Sequence, residues 1–262
     1  MKIAVSGKGG VGKSTVAAAL AILLTKEGKR VLAVDADADA NLASALGATD
    51  SELKTIIPIS RQIALIEERT GAKVKQYGQL FNLNPDVSDI AEKYASLING
   101  VSLLEIGAIE KGGSGCACPE SILLRAIITD LILYKDDILI MDMEAGIEHL
   151  GRATARGVDL MLIVVEPGQR SLDSARRIIE MSHDIGLKKT GLVANKVTDN
   201  MDEELLFSAF PETDYLGIIP FSEEIRLGDR TGVSVLDNLC SDICSKFESV
   251  LSGIEKYIRS NL

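Results

Sequence analysis

Short apolar runs that end in polar loops recur at Lys2–Ser6, Arg30–Asp35, Val101–Gly107, Asp137–Asp142, Asp159–Glu166, Thr190–Asn195 and Tyr215–Pro220. Runs of this length, apolar along most of their extent and bounded by turn residues, predict strands. Between most of them lie longer stretches whose apolar residues repeat every three or four positions, as in Lys13–Glu27, Glu120–Tyr134 and Leu172–Ile185, and these predict helices. The alternation predicts an α/β fold, a doubly wound and mostly parallel sheet covered on both faces, in a single domain over 1–262. Near the end, Leu236, Leu239, Cys240, Ile243, Cys244, Phe247, Val250, Leu251, Ile254 and Ile258 form one helical stripe, so a closing helix packs on the core with both cysteines facing inward. Residues 48–100 are the least legible stretch. They suggest helix around Ser60–Thr70 and Val87–Leu97, and no strand.

Bulk properties narrow the function. A chain of 262 residues with 28 basic and 38 acidic side chains carries a net charge of −10, the wrong sign for nucleic-acid or anionic-lipid partners. The N-terminus MKIAVSGKGG lacks a secretory apolar core, and no stretch approaches the roughly 20 apolar residues of a membrane span, so a cytoplasmic protein is expected. Four cysteines, two of them one residue apart, do not make a disulfide scaffold; in a reducing compartment such spacing points to metal or redox chemistry.

The most specific chemistry lies at the end of the first predicted strand. Gly7, Lys8, Gly9, Gly10, Val11, Gly12, Lys13 and Ser14, followed by Thr15, fit G-x-x-x-x-G-K-[ST] between a strand and a helix, which is where a phosphate-binding loop must sit. Glycines let the backbone curl so that successive N–H groups point inward, and the helix N-terminus favours an anion. Lys13 is placed to reach the β and γ phosphates, and the Ser14 hydroxyl suits Mg²⁺. Lys8 is a second lysine within the loop, and on general grounds a solvated charge.

Two further strand ends are acidic. Asp35, Asp37 and Asp39 follow the second strand, where ligands collect in an open parallel sheet, and three such charges call for a cation. Asp37 has a solvated reading as good as any functional one. The run Ile138–Met141 delivers Asp142 to the end of a buried strand, the Walker B arrangement that holds Mg²⁺ through water. Glu144 and Gly146 then fit a second switch loop, the glycine allowing close approach to a γ-phosphate, although an ordinary turn would also use one.

Cys116 and Cys118 follow a flexible Gly112–Gly115 run and precede Pro119, which suits the first turn of a helix. Two residues apart in extended chain, they point to one side and can grip one ion. Two thiolates are half of a four-ligand zinc or nickel site, and a twofold dimer would supply the rest. The plain alternative is a pair of small, partly buried thiols. His149 and His183 are too isolated to serve as ligands.

KGGVGKST resembles the deviant Walker A loop of the Min and Par positioning ATPases, the nitrogenase iron protein and metallocentre-assembly ATPases. The resemblance implies a homodimer in which Lys8 reaches the partner's phosphates. It further implies that Asp35 positions the attacking water, that Asp39 sits near Mg²⁺, and that Asn195, at the start of Asn195–Lys196, recognises the purine of ATP. The residues themselves do not exclude GTP. With the Cys116–Cys118 pair and DMEAGIEHLGRAT from Asp142 to Thr154, the chain is similar to the CooC family of nickel-insertion accessory ATPases. That resemblance implies Ni²⁺, or Zn²⁺ at the same cysteines, and carbon monoxide dehydrogenase as client, with acetyl-CoA synthase not separable from it. A Min or Par type positioning ATPase is the alternative, disfavoured by the acidic balance. An iron-sulfur protein of the nitrogenase type is a third, disfavoured because no cysteine lies between Asp142 and Leu239.

Overall fold

A computed structural model of the chain describes residues 1–74, 76, 78–107, 118–134, 138–144, 150–187, 189–237 and 239–260. Its strands are β1 (Lys2–Ser6), β2 (Val31–Ala36), β3 (Ser96–Ile98), β4 (Val101–Glu105), β5 (Ile138–Met143), β6 (Leu160–Val165), β7 (Thr190–Val197) and β8 (Tyr215–Pro220). The helices are α1 (Lys13–Lys26), α2 (Leu42–Ala45), α3 (Asp50–Leu53), α4 (Ile63–Thr70), α5 (Ile90–Tyr94), α6 (Pro119–Tyr134), α7 (Arg152–Ala155), α8 (Gln169–Asp184), α9 (Asn200–Ala209), α10 (Glu223–Thr231) and α11 (Ser241–Arg259). A 3₁₀ turn spans Ile59–Arg61.

The strands form one eight-stranded sheet in the order β3-β4-β2-β5-β1-β6-β7-β8, parallel except for β3, which pairs antiparallel with β4. Strands covered on both faces read as unbroken apolar runs, and β2 and β6 are buried at every position. One face packs on α1 and α11, the other on α4, α6, α8 and α9. Helix α1 is apolar nearly all round because it is wrapped: β1 and β5 lie beneath it, α2 and α11 beside it. Among the described residues no helix is long and apolar enough to cross a membrane.

The seven expected strands and the expected helices over 13–27, 120–134, 172–185 and 60–70 are present within a few residues. Residues 87–97 differ from expectation. The helix there covers only Ile90–Tyr94, and the chain then turns into strand β3, whose hairpin with β4 closes through Asn99, at φ 47°, and Gly100, at φ 80°. Asn-Gly is a strong hairpin turn because both residues accept positive φ. Asn99–Gly100 therefore marks the hairpin in the sequence, although the apolar spacing before it is helical.

The closing helix is also shorter than its apolar stripe suggested. It starts at Ser241, and Cys240 stands at its N-cap, exposed, with its N–H donated to Glu224 at 2.8 Å. Cys244 is half-buried, so the inward placement expected for the two thiols is corrected. Ile243, Phe247, Val250 and Ile254 already supply a complete buried face, which leaves the cysteines at its margin.

Candidate functional site: the phosphate loop and its acidic rim

The first βα turn runs from Gly7 to Gly12, and Lys13 opens α1. Gly12 has no room for a side chain: its φ is 96°, and a Cβ there would come within 2.4 Å of the Asn195 amide nitrogen. Gly7 is crowded in the same way, with a Cβ position 2.4 Å from the Val164 carbonyl oxygen. The loop is therefore clasped between the ends of β6 and β7. Asn195 donates from Nδ2 to the Val11 carbonyl at 2.7 Å and accepts the Lys196 N–H on Oδ1 at 3.0 Å.

Parallel pairing brings the acidic strand ends together. Asp35 stands in register with Asp142 on one side and with Glu105 on the other. Asp35 is buried, and its two oxygens accept the backbone N–H groups of Asp37 at 3.1 Å and Leu42 at 2.9 Å, which shapes the loop after β2. Burial, with the neighbouring Asp142 charge adding to it, pushes its pKa up to about 7. Asp142 is buried too, and burial raises its pKa to about 6 against the lowering influence of Ser14 and Lys13. Ser14 lies close enough to bias the carboxyl, yet neither Asp142 oxygen has a hydrogen bond of full geometry. Two buried acceptors without donors, beside a hydroxyl, fit a hard oxygen-seeking cation such as Mg²⁺.

Lys13 is buried and points its ammonium at Asp37, 3.4 Å away. Asp37 in turn accepts the Asp39 N–H at 3.1 Å, while Asp39 itself is exposed. Ser6 at the end of β1 donates to the Glu144 carbonyl at 2.9 Å, tying the start of the phosphate loop to the residue that follows β5. Lys8 is half-buried, and Thr15 lies in the first turn of α1. Gly146 and His149 lie outside the described residues.

Cys118 caps α6: its sulfur accepts the Ser121 N–H at 3.4 Å and lies 3.0 Å from the Ser121 hydroxyl, with Pro119 as the first helical residue. Since β4 and β5 both run parallel to β2, the α6 crossover begins at the carboxyl edge of the sheet, the edge that carries the phosphate loop. Cys116 lies outside the described residues. Among the described residues no three His, Cys, Asp or Glu side chains converge as metal ligands.

Lys196, near the end of β7, also serves the loop: its ammonium donates to the Gly10 carbonyl and pairs with Glu166 at 3.1 Å, a role that a lone lysine at a strand end does not signal in the sequence.

A glycine-rich strand-to-helix turn with a buried lysine, flanked by strand-end carboxylates, defines a P-loop nucleotide hydrolase. A family model for the CobQ/CobB/MinD/ParA nucleotide-binding domain matches residues 2–235. The chain belongs to this ATPase family, and within it to the group that includes the carbon monoxide dehydrogenase accessory protein CooC of Rhodospirillum rubrum, 45% identical over 237 residues and 90% of each chain. An uncharacterised ATP-binding protein of Methanocaldococcus jannaschii is 44% identical over 259 residues, 98% of each chain. Among solved structures, the MinC:MinD cell division complex of Aquifex aeolicus superposes with a TM-score of 0.70 at 20% identity, covering 97% of this chain and 95% of that one. MinD of Pyrococcus horikoshii with Mg-ADP gives 0.64 at 22%, covering 97% and 96%. These two likenesses establish the fold.

Proposed function

We propose that this ATPase is a nickel metallochaperone: a homodimer that binds Ni²⁺ between the Cys116 and Cys118 pairs of two chains and delivers it to carbon monoxide dehydrogenase. The observation that carries the reading is the placement of Cys118. It caps the helix that starts at the carboxyl edge of the sheet, the edge that also carries the phosphate loop, which favours coupling between nucleotide state and the sulfur. Kinship with CooC, by name a carbon monoxide dehydrogenase accessory protein, supports that client. Zn²⁺ would suit the same thiolates.

In the ATPase cycle Lys13 binds phosphate, exchanging Asp37 for the β and γ oxygens. Ser14 and Asp142 are the groups that would hold Mg²⁺, with Asp39 at its margin; the ion supplies charge neutralisation on the phosphates. Lys8 acts across the dimer on the partner's nucleotide, stabilising the charge that develops during transfer. Glu144 and Gly146 form the loop that senses the γ-phosphate.

Asp37 stands beside Asp35 as a second candidate for positioning the attacking water: Asp35 is buried and shapes the loop after β2 through the N–H groups of Asp37 and Leu42, whereas Asp37 stands at the tip of Lys13 and is partly open to solvent. Adenine is favoured over guanine by Asn195. Its amide orientation is locked, leaving one N–H and one lone pair, which match the N7 and N6 groups of adenine but set oxygen against oxygen at guanine.

The test is Ni²⁺ bound per chain by equilibrium dialysis, on the native protein and on Cys116→Ser/Cys118→Ser, with oligomeric state recorded. About one ion per two chains, lost in the double variant, is the expected result of a four-thiolate bridging site. Nickel binding that persists in the double variant would refute the assignment.

A further inference from the structure

Asn195 and Lys196 are consecutive residues of β7, and in a regular strand their side chains would leave on opposite faces. Both nevertheless reach the phosphate loop. Pairing of β7 with β8 is irregular between Asn195 and Val197, and Lys196 holds a left-handed backbone at φ 58°. A lysine adopts that conformation reluctantly, and a costly backbone state maintained beside a site is a reason to ask what it accomplishes there. The irregularity turns the Lys196 side chain to the same side as that of Asn195.

The two side chains take two consecutive loop carbonyls. Asn195 Nδ2 donates to Val11, and Lys196 Nζ donates to Gly10 while keeping Glu166 of the β6 end as its counter-ion. In a loop that binds phosphate through backbone N–H groups, the carbonyls must be turned away from the anion. A carbonyl without a partner can flip toward the cavity, where it repels phosphate. Gly10, at φ 83° and with open space where a Cβ would lie, is free to do so.

We propose that Lys196 is a positioning residue for ATP binding: by holding the Gly10 carbonyl outward and anchoring it to Glu166, it presets the phosphate loop before nucleotide arrives. The inference rests on reading Gly7–Thr15 as the phosphate site. Because the lysine acts through Gly10 and not on the reacting atoms, its removal weakens binding of ADP and ATP alike and spares the chemical step. Glu166 contributes by keeping the ammonium oriented, so its loss has a smaller effect in the same direction.

The experiment compares wild type with Lys196→Met, Lys196→Gly and Glu166→Gln. ADP affinity is measured by calorimetry, kcat and KM for ATP by phosphate release, and Tm alongside. Lys196→Gly relieves the left-handed strain while deleting the latch, so a purely structural lysine would leave its ADP affinity intact and its Tm equal or higher. The proposal expects Kd for ADP and KM for ATP to rise about tenfold in both Lys196 variants, the loss of roughly one charge-assisted hydrogen bond. At saturating ATP, kcat stays within about twofold, since interactions lost equally from ground and transition states appear in KM. ADP affinity within twofold of wild type in Lys196→Gly overturns the proposal, as does a fall in kcat equal to the rise in KM. If wild type itself binds no ADP, the reading of the loop fails and the proposal with it.

Discussion

Asp35 and Asp142 end adjacent parallel strands in the same register, and both carboxyl groups are buried beside the phosphate loop. Their pKa values are raised to about 7 and about 6 from 3.8, burial being the larger cause for each. A carboxyl group whose folded pKa exceeds its unfolded value favours the folded state while protonated. That contribution is whole below about pH 4 and disappears as pH rises through 6 to 7. Free of nucleotide and Mg²⁺, the protein therefore loses stability from this pair across pH 4–7. Asp142→Asn should escape part of the loss, so its Tm relative to wild type should climb over that window. Parallel Tm profiles for the two proteins would count against it.

Asp37 and Asp35 should separate by function. Asp37→Ala is expected to bind ATP and to hydrolyse it on the order of a hundredfold more slowly, the lower range for a lost proton acceptor. Asp35→Ala removes two acceptors from buried backbone N–H groups and should lower Tm as well. Single-turnover hydrolysis and thermal melts of both variants decide the matter. Normal turnover in Asp37→Ala assigns the role to Asp35.

The two loop lysines divide the work. Lys13→Ala should weaken nucleotide binding itself, because its ammonium is buried at the phosphate position. Lys8→Ala should retain binding and lose the dimer-dependent part of hydrolysis, seen as turnover that no longer rises with protein concentration.

Cys118 can be probed without disturbing its helix. Serine is a good N-cap, so Cys118→Ser should keep the bond from the Ser121 N–H and change stability little. Cys118→Ala lacks an acceptor and should cost about 1 kcal/mol. A metal-binding loss shared by both variants, against a stability loss only in alanine, would separate ligation from folding.

Gly253 tests packing far from the chemistry. A Cβ there would lie 2.2 Å from the Leu216 carbonyl oxygen, where α11 crosses β8. Gly253→Ala should destabilise by about 2 kcal/mol through overpacking while leaving KM for ATP unchanged. An unaltered Tm would mean that the helix shifts freely.

Much of the architecture was legible in the chain because its signals are local. Apolar runs of strand length and helical spacing give the alternation of β1, β2 and β4–β8 with their helices, and the KGGVGKST spacing locates the loop between β1 and α1. Strand β3 escaped, being three residues long and marked only by Asn99–Gly100. Cys240 and Cys244 misled because an apolar stripe records spacing and not how wide a helix face the core can cover.

What the sequence by itself determined, then, is the identity of each element and the chemistry each strand end carries, since backbone preference and hydrophobic period act over a few neighbouring residues. The tertiary structure alone decided which of those ends meet. Asp35 lies beside Asp142, Lys13 meets Asp37, and Asn195 and Lys196 both reach the phosphate loop from 184 and 186 positions away. Such contacts depend on strand order, register and the irregular step between Asn195 and Val197 in β7, which are set by how the whole sheet packs and leave no mark in any local stretch of residues.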